Sequence, residues 1–149
     1  MKEAQKVIIV DDDPGTADIL VRMVLDSLGE ENVEVLVAYS SADALTLIED
    51  NPGAILVTDL MMPGMNGIEL ARAARIRYPD HRALGITAFP RDCLPERPNG
   101  EFTEVFDKTD ANRMISMLGL MVASGIAKKA CRLAEELQFC FSGLRPLAE

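Results

Sequence analysis

Four short apolar segments of this chain each end in a polar side chain able to handle a metal ion or a phosphoryl group. Lys6 to Val10 runs into Asp11-Asp12-Asp13, and Ala54 to Thr58 runs into Asp59. Ala83 to Ala88 carries Thr87 near its end, and Glu104 to Lys108 finishes on the lysine. If the four are neighbouring parallel strands, these groups converge, because reactive residues of open α/β sheets gather at the carboxyl ends of the strands. Carboxylates brought so close repel one another unless a cation neutralises them. A hard, oxygen-liganded ion such as Mg²⁺ suits that task and keeps some of its waters. A carboxylate can also attack phosphorus to give an aspartyl phosphate. The metal and a lysine would then neutralise the phosphoryl oxygens. The residue types therefore point to phosphoryl transfer.

The elements that must position these groups can be read from periodicity. Lys6 to Val10 is a continuous β-branched run, the pattern of a strand buried on both faces. From Pro14 the period changes. Leu20, Met23, Val24, Ser27 and Leu28 recur every three or four residues, which predicts an amphipathic helix ending at Gly29. Val33 to Ala38 reads as a second strand. Ser40 with Asp43 starts a second helix, and Asn66 with Glu69 starts a third, which Tyr78-Pro79 closes. Strands alternating with helices predict a parallel sheet covered on both faces, with right-handed crossovers. Between the fourth and fifth strands stand Pro90, Pro95, Pro98 and then Asn99-Gly100. A proline inside a helix costs ~3 kcal/mol, so at most about one helical turn is expected there. Beyond Lys108, Ile115, Leu118, Val122, Ile126, Ala130, Leu133 and Leu137 keep helical spacing. That tail is one long helix or two helices broken near Gly125, because a glycine costs ~1 kcal/mol relative to alanine.

Val7-Ile8-Ile9-Val10-Asp11-Asp12-Asp13-Pro14, Val57-Thr58-Asp59-Leu60-Met61-Met62-Pro63-Gly64-Met65-Asn66-Gly67, Thr87-Ala88 and Lys108 together resemble the receiver domains of two-component response regulators. The resemblance spans about residues 6 to 125. It implies a flavodoxin-like, doubly wound, five-stranded parallel sheet of order 2-1-3-4-5, here with a degenerate fourth helix and an extended last helix. The receiver domain is expected over residues 1–125, and a C-terminal helical extension over 126–149. Asp59 resembles the phosphoacceptor. Asp12 resembles the acid that binds Mg²⁺ or Mn²⁺ directly, and Asp11 its partner acting mainly through water. The backbone carbonyl of Met61 resembles a further metal ligand. Thr87 resembles the hydroxyl that turns toward the phosphoryl oxygen, and Lys108 the lysine that pairs with it. The implied donor is the phosphohistidine of a sensor histidine kinase or a phosphotransfer protein. The chain would then catalyse only its own phosphorylation and dephosphorylation and act on no other substrate.

The chain departs from the family pattern around Lys108. The residue after the lysine is usually proline, and here it is Thr109. The usual switch aromatic stands three residues before the lysine. Here that residue is Val105, with Phe106 beside it, and a one-residue shift in a strand points a side chain to the opposite face. These departures are the only support for a rival reading, a receiver-like interaction module that works without phosphorylation. A second rival is a haloacid-dehalogenase-type phosphatase, since Asp11 to Thr16 faintly resembles the first motif of that family. Pro14 shifts the spacing of that motif by one, and no later acidic metal motif is evident. Asp13 reads as a solvated or helix-capping acid. His81, a lone histidine after Pro79-Asp80, is expected at the surface. Met61, Met62 and Met65 read as packing beside core strands.

Bulk properties set further bounds. The chain has 149 residues, which suits one domain, and a formal charge of -9 with a pI near 4.6, which disfavours direct contact with nucleic acid. No apolar run reaches the ~18 residues of a membrane span. The polar N-terminal residues and three unpaired cysteines, Cys93, Cys131 and Cys140, fit a cytoplasmic protein with reduced thiols. The second half of the apolar tail, Ile126 to Leu137, needs a partner, and pairing with a second copy of the chain is the expectation.

Overall fold

A computed structural model of the protein describes residues 3–142; the side chains of 126–133 and 136–142 lie outside the described residues. Five strands form one parallel sheet: β1 (Gln5–Val10), β2 (Val33–Ala38), β3 (Ile55–Asp59), β4 (Ala83–Thr87) and β5 (Glu104–Asp107). Their order is β2-β1-β3-β4-β5, as expected. Four α-helices accompany them: α1 (Pro14–Leu28), α2 (Ser41–Asp50), α3 (Gly67–Arg77) and α4 (Ala111–Ser142).

Side chains alternate across each strand, so β1 feeds two cores. Val7 and Ile9 join Val57, Leu84, Ile86 and Phe106 beneath α1 and α4. Ile8 and Val10 join Leu56 and Ala83 beneath α2 and α3. All four β1 residues are fully buried, which accounts for their unbroken apolar run. The helix starts follow the sequence reading. The Asp13 side chain caps α1 by accepting from the Thr16 amide at 3.3 Å and its hydroxyl at 2.6 Å. Ser40 accepts from the Asp43 amide at 3.2 Å. Asn66 accepts from the Glu69 amide at 2.9 Å and donates to the Glu69 carboxylate at 2.8 Å. Such caps each stabilise a helix by about 1 kcal/mol.

The proline-rich stretch after β4 contains one 3₁₀ turn, Arg91–Cys93, and no α-helix. It is strapped down instead. Arg72 on α3 pairs with Glu96 at 3.1 Å and with the buried Glu101 at 3.0 Å. Phe102 packs on the α2–α3 core, and the Thr103 amide donates to the Ala83 carbonyl at 2.8 Å. An ion pair and one aromatic ring thus cover the sheet where a helix would otherwise lie.

The tail resolves into a single helix that passes through Gly119 and Gly125 without a break. Ile115, Leu118 and Val122 are buried over the sheet, as their spacing predicts. Gly119 suits the crossing of α4 with α1, since a Cβ there would stand 3.1 Å from Leu28 Cδ2. The side chains of Ile126, Ala130, Leu133 and Leu137, and those of Cys131 and Cys140, fall outside the described residues.

One expectation is overturned. His81 is not at the surface; only 7% of it is exposed, and neither ring nitrogen has a hydrogen-bond partner among the described residues. In the loop after α3 the His81 amide donates to the Tyr78 carbonyl at 2.9 Å, closing a turn that carries the buried ring. Burial, with the charges of Arg82 and Arg75, pushes its pKa down to about 4. The unfolded chain, with a histidine near 6.5, therefore binds more protons than the folded one between about pH 4 and 6.5. Stability from this group is complete above pH 6.5 and is lost as the pH falls toward 4. Urea unfolding at pH 5 should show a loss on the order of 2 kcal/mol relative to pH 7 that a His81→Leu variant lacks.

Candidate functional site

The carboxyl ends of β1 and β3 bring Asp11, Asp12 and Asp59 together. One carboxylate oxygen from each lies within 4.8 Å of the other two. Asp11 and Asp59 are buried, at 1% and 5% exposure, while Asp12 is exposed. The Lys108 ammonium enters from the end of β5 and bridges the buried pair, at 2.9 Å from Asp11 Oδ2 and 3.0 Å from Asp59 Oδ2. Asp11 Oδ1 accepts from the Asp13 amide at 2.9 Å, and Asp59 Oδ1 accepts from the Met61 amide at 3.0 Å. Both buried carboxylates are thus oriented at each of their oxygens.

Electrostatics show what the cluster lacks. Three formal negative charges face one positive charge. Burial pushes the Asp59 carboxyl above its usual value, against the Met61 amide and Lys108, and the charge of Asp11 adds to the rise. Burial works against the Lys108 ammonium, but its bonds to Asp11 and Asp59 outweigh it and raise its pKa. An acid held above its usual pKa favours folding while protonated, and its ionised form is a cost as the pH rises. A divalent cation would offset that cost, and the all-oxygen donor set fits Mg²⁺ or Mn²⁺. Asp12 is exposed and makes no ion pair among the described residues, whereas Asp11 and Asp59 each hold Lys108 and a backbone amide.

Thr87 ends β4, one residue beyond Ile86, which pairs with Asp59 in register. It is buried, and its hydroxyl accepts from the Phe89 amide at 3.1 Å. Among the described residues it bonds none of the carboxylates. Met61 sits half-buried in the loop after β3, held to Asp59 by its amide. The proline missing after Lys108 has a substitute. The Asp107 carboxylate accepts from the Thr109 amide and hydroxyl, each at 2.9 Å, and so shapes the turn that presents Lys108. Phe106 points into the α1–α4 core, with Arg113 5.9 Å above its ring. Val105 lies on the other face, beside Gly85. The aromatic is therefore displaced to the opposite side of the sheet, as the one-residue shift implies.

Some supports escaped the sequence reading. Gly67 entered only as the last residue of the Val57–Gly67 string, yet a Cβ there would stand 2.1 Å from the backbone oxygen of Asp59. Its bare α-carbon lets α3 start directly against the end of β3. Ser41 donates to the Met65 carbonyl at 2.6 Å and ties the intervening loop to α2. The Asn66-Gly67 pair was a visible signal for the first; nothing local marks the second.

The family pattern of the response regulator receiver domain matches residues 7–94, more than half of the chain. The chain belongs to that family. Lys108 lies beyond the matched stretch, in the part where the sequence departs from the usual form. Among solved structures, the signal receiver domain of the response regulator NarL from Mycobacterium tuberculosis is 27% identical, with a TM-score of 0.68 over 83% of this chain and 99% of that one. A two-component transcriptional regulator AraC from Clostridium phytofermentans is 22% identical, with a TM-score of 0.68 over 85% and 98%. A CheY-like receiver domain protein from Methanospirillum hungatei is 18% identical, with a TM-score of 0.66 over 85% and 99%. The last two attest to the fold. The protein is thus a receiver domain of the response-regulator type, a signalling domain rather than a conventional enzyme.

The close approach at Gly67 sets a test. Gly67→Ala should cost about 2 kcal/mol or more, because the added methyl meets backbone that cannot step aside. Chemical denaturation compared with a control at the open Gly53 checks it; equal stability of the two variants would contradict the stated contact.

Proposed function

We propose that this receiver accepts a phosphoryl group on Asp59 and passes a signal in a two-component phosphorelay. The observation that carries the reading is the Asp11–Asp12–Asp59 cluster closed by Lys108. The donor is a phosphohistidine on a sensor histidine kinase or phosphotransfer protein. An Asp59 carboxylate oxygen attacks phosphorus, the P–N bond breaks, and the imidazole leaves with the electron pair. Asp12, Asp59 and the Met61 carbonyl would hold Mg²⁺ or Mn²⁺, with Asp11 steadying it through water. When bound, the ion neutralises carboxylate and phosphoryl oxygens.

The chain's own groups do the rest. The Met61 amide fixes the Asp59 carboxylate before reaction. Lys108 exchanges its bond to Asp59 for one to the phosphoryl group while Asp11 keeps it in place. Thr87 turns its hydroxyl from the Phe89 amide toward a phosphoryl oxygen. That motion releases the backbone after β4, where Phe89 is 47% exposed. With Val105 in the aromatic's usual position, the signal would leave through this proline-rich strap rather than through a coupled aromatic.

The working compartment in this reading is the cytoplasm, with no direct contact to nucleic acid and no membrane insertion. No helix among the described residues is long and apolar enough to cross a membrane. The extension of α4 would pair two copies. The helix backbone continues from Gly125 to Ser142, and the sequence keeps its apolar spacing through Leu137.

Two experiments test these statements. Incubation with acetyl phosphate and Mg²⁺ should label the wild type, with labelling abolished in Asp59→Asn and cut at least about tenfold in Asp12→Ala through weaker metal binding. Full Mg²⁺-dependent labelling of Asp59→Asn would contradict the assignment. Light scattering should show a dimer for the wild type and a folded monomer for the Leu133→Glu, Leu137→Lys double variant. A wild type that is monomeric at high micromolar concentration ends the dimer reading.

A further inference from the structure

At the end of the sheet opposite Asp59, where β1, β3 and β4 begin, lies a cavity of about 910 Å³ that the phosphoacceptor chemistry does not use. The end of the strap forms one side of it, and α4 touches it at Gly125. Such a volume suits a small organic molecule.

His81 lines this cavity. It is more than nine-tenths buried, and both ring nitrogens lack partners among the described residues. A neutral imidazole has one donor and one acceptor to satisfy, and buried polar groups are nearly always paired. The charges that act on the ring are both positive, from Arg82 beside it and Arg75 on α3. Arg75 makes no ion pair among the described residues. Its place in the last turn of α3 suits the helix dipole, but that role leaves His81 unpartnered. Arg82 donates to the Met121 carbonyl at 3.0 Å and reaches Gln5 only at 3.5 Å, so it keeps donors to spare.

The lining also carries Lys6, Glu3, Asp50, Asp80 and Glu101, so the pair acts locally at His81 and not through the net charge of the cavity. Lys6 is held by Asn51 Oδ1 at 2.8 Å, and Glu101 is held by Arg72. Glu3, Asp50 and Asp80 are exposed, where water screens them as it also screens the exposed Arg75.

We propose that this cavity binds a small organic anion through a carboxylate or phosphate group, with His81, Arg75 and Arg82 as the recognising residues. The guanidinium groups supply charge-assisted hydrogen bonds. Both ring nitrogens are shielded from solvent, so binding requires the His81 ring to turn for an N–H to reach a ligand oxygen, and the bound negative charge favours protonation of the ring. The site is independent of phosphorylation. Because Arg82 also grips α4 at Met121, occupancy would be felt where that helix leaves the sheet.

His81 is the single histidine of the chain, so its imidazole resonance is unambiguous in NMR. The metal-free full chain would be titrated with inorganic phosphate and, separately, with succinate at constant ionic strength, with chloride as reference. A saturable shift of the His81 resonance is expected with at least one of the two, together with a titration midpoint raised from about 4. The exposed substitution Arg75→Gln should weaken the apparent affinity about tenfold, the loss of one charge-assisted contact. The same result is expected in Asp59→Asn protein, which separates this site from the acceptor. A shift that follows chloride equally, or a saturable shift unchanged by Arg75→Gln, would overturn the proposal.

Discussion

The rest of the molecule is arranged around one ammonium group between two buried carboxylates. Lys108 holds Asp11 and Asp59 on either side, 2.9 and 3.0 Å away, at an edge where a third carboxylate also arrives. Removing charges from water is costly, and an attraction of this kind balances that cost only when the geometry is good and the remaining lone pairs are satisfied. The amides of Asp13 and Met61 meet that requirement. The lysine still leaves a surplus of negative charge. In the proposed reading, that surplus is what would draw a divalent cation and then a phosphoryl group to the edge.

The sheet order is what permits this convergence. β1 and β3 are adjacent, so Val10 lies beside Thr58 and the aspartates follow directly. β4 and β5 continue the row, placing Thr87 beside Asp107 and Lys108 one step beyond. β1, β3 and β4 are buried on both faces, and that packing carries the polar residues at their ends to the edge. Gly67 lets α3 come close enough to back the carbonyl of Asp59. The turn after β5 relies on the Asp107 side chain, which holds the Thr109 amide and hydroxyl.

Strong local patterns made the strands, the first three helices and the carboxylates legible in the sequence. A β-branched run or an Asn66–Glu69 cap carries its own information. The side to which Phe106 points was legible as well, since alternation in a strand depends on position alone. Features built by distant partners were not. His81 looks like a loop residue, and its burial depends on how the loop after α3 folds. The strap was recognisable as non-helical from its prolines, but its pairing with Arg72 joins residues 24 and 29 positions apart. The choice between one tail helix and two was open because glycine propensity pulls against an apolar stripe; the helix runs on through Gly125.

The central claim is that the carboxylate cluster is a metal site awaiting a phosphoryl group. A crystal grown with Mn²⁺ tests it most directly through the ion's anomalous scattering. The account predicts one strong peak with oxygen ligands from Asp12, Asp59 and the Met61 carbonyl at roughly 2.1 Å. Anomalous density elsewhere on the protein, with Asp11 and Asp59 still closed on Lys108 and no ion beside them, would contradict it.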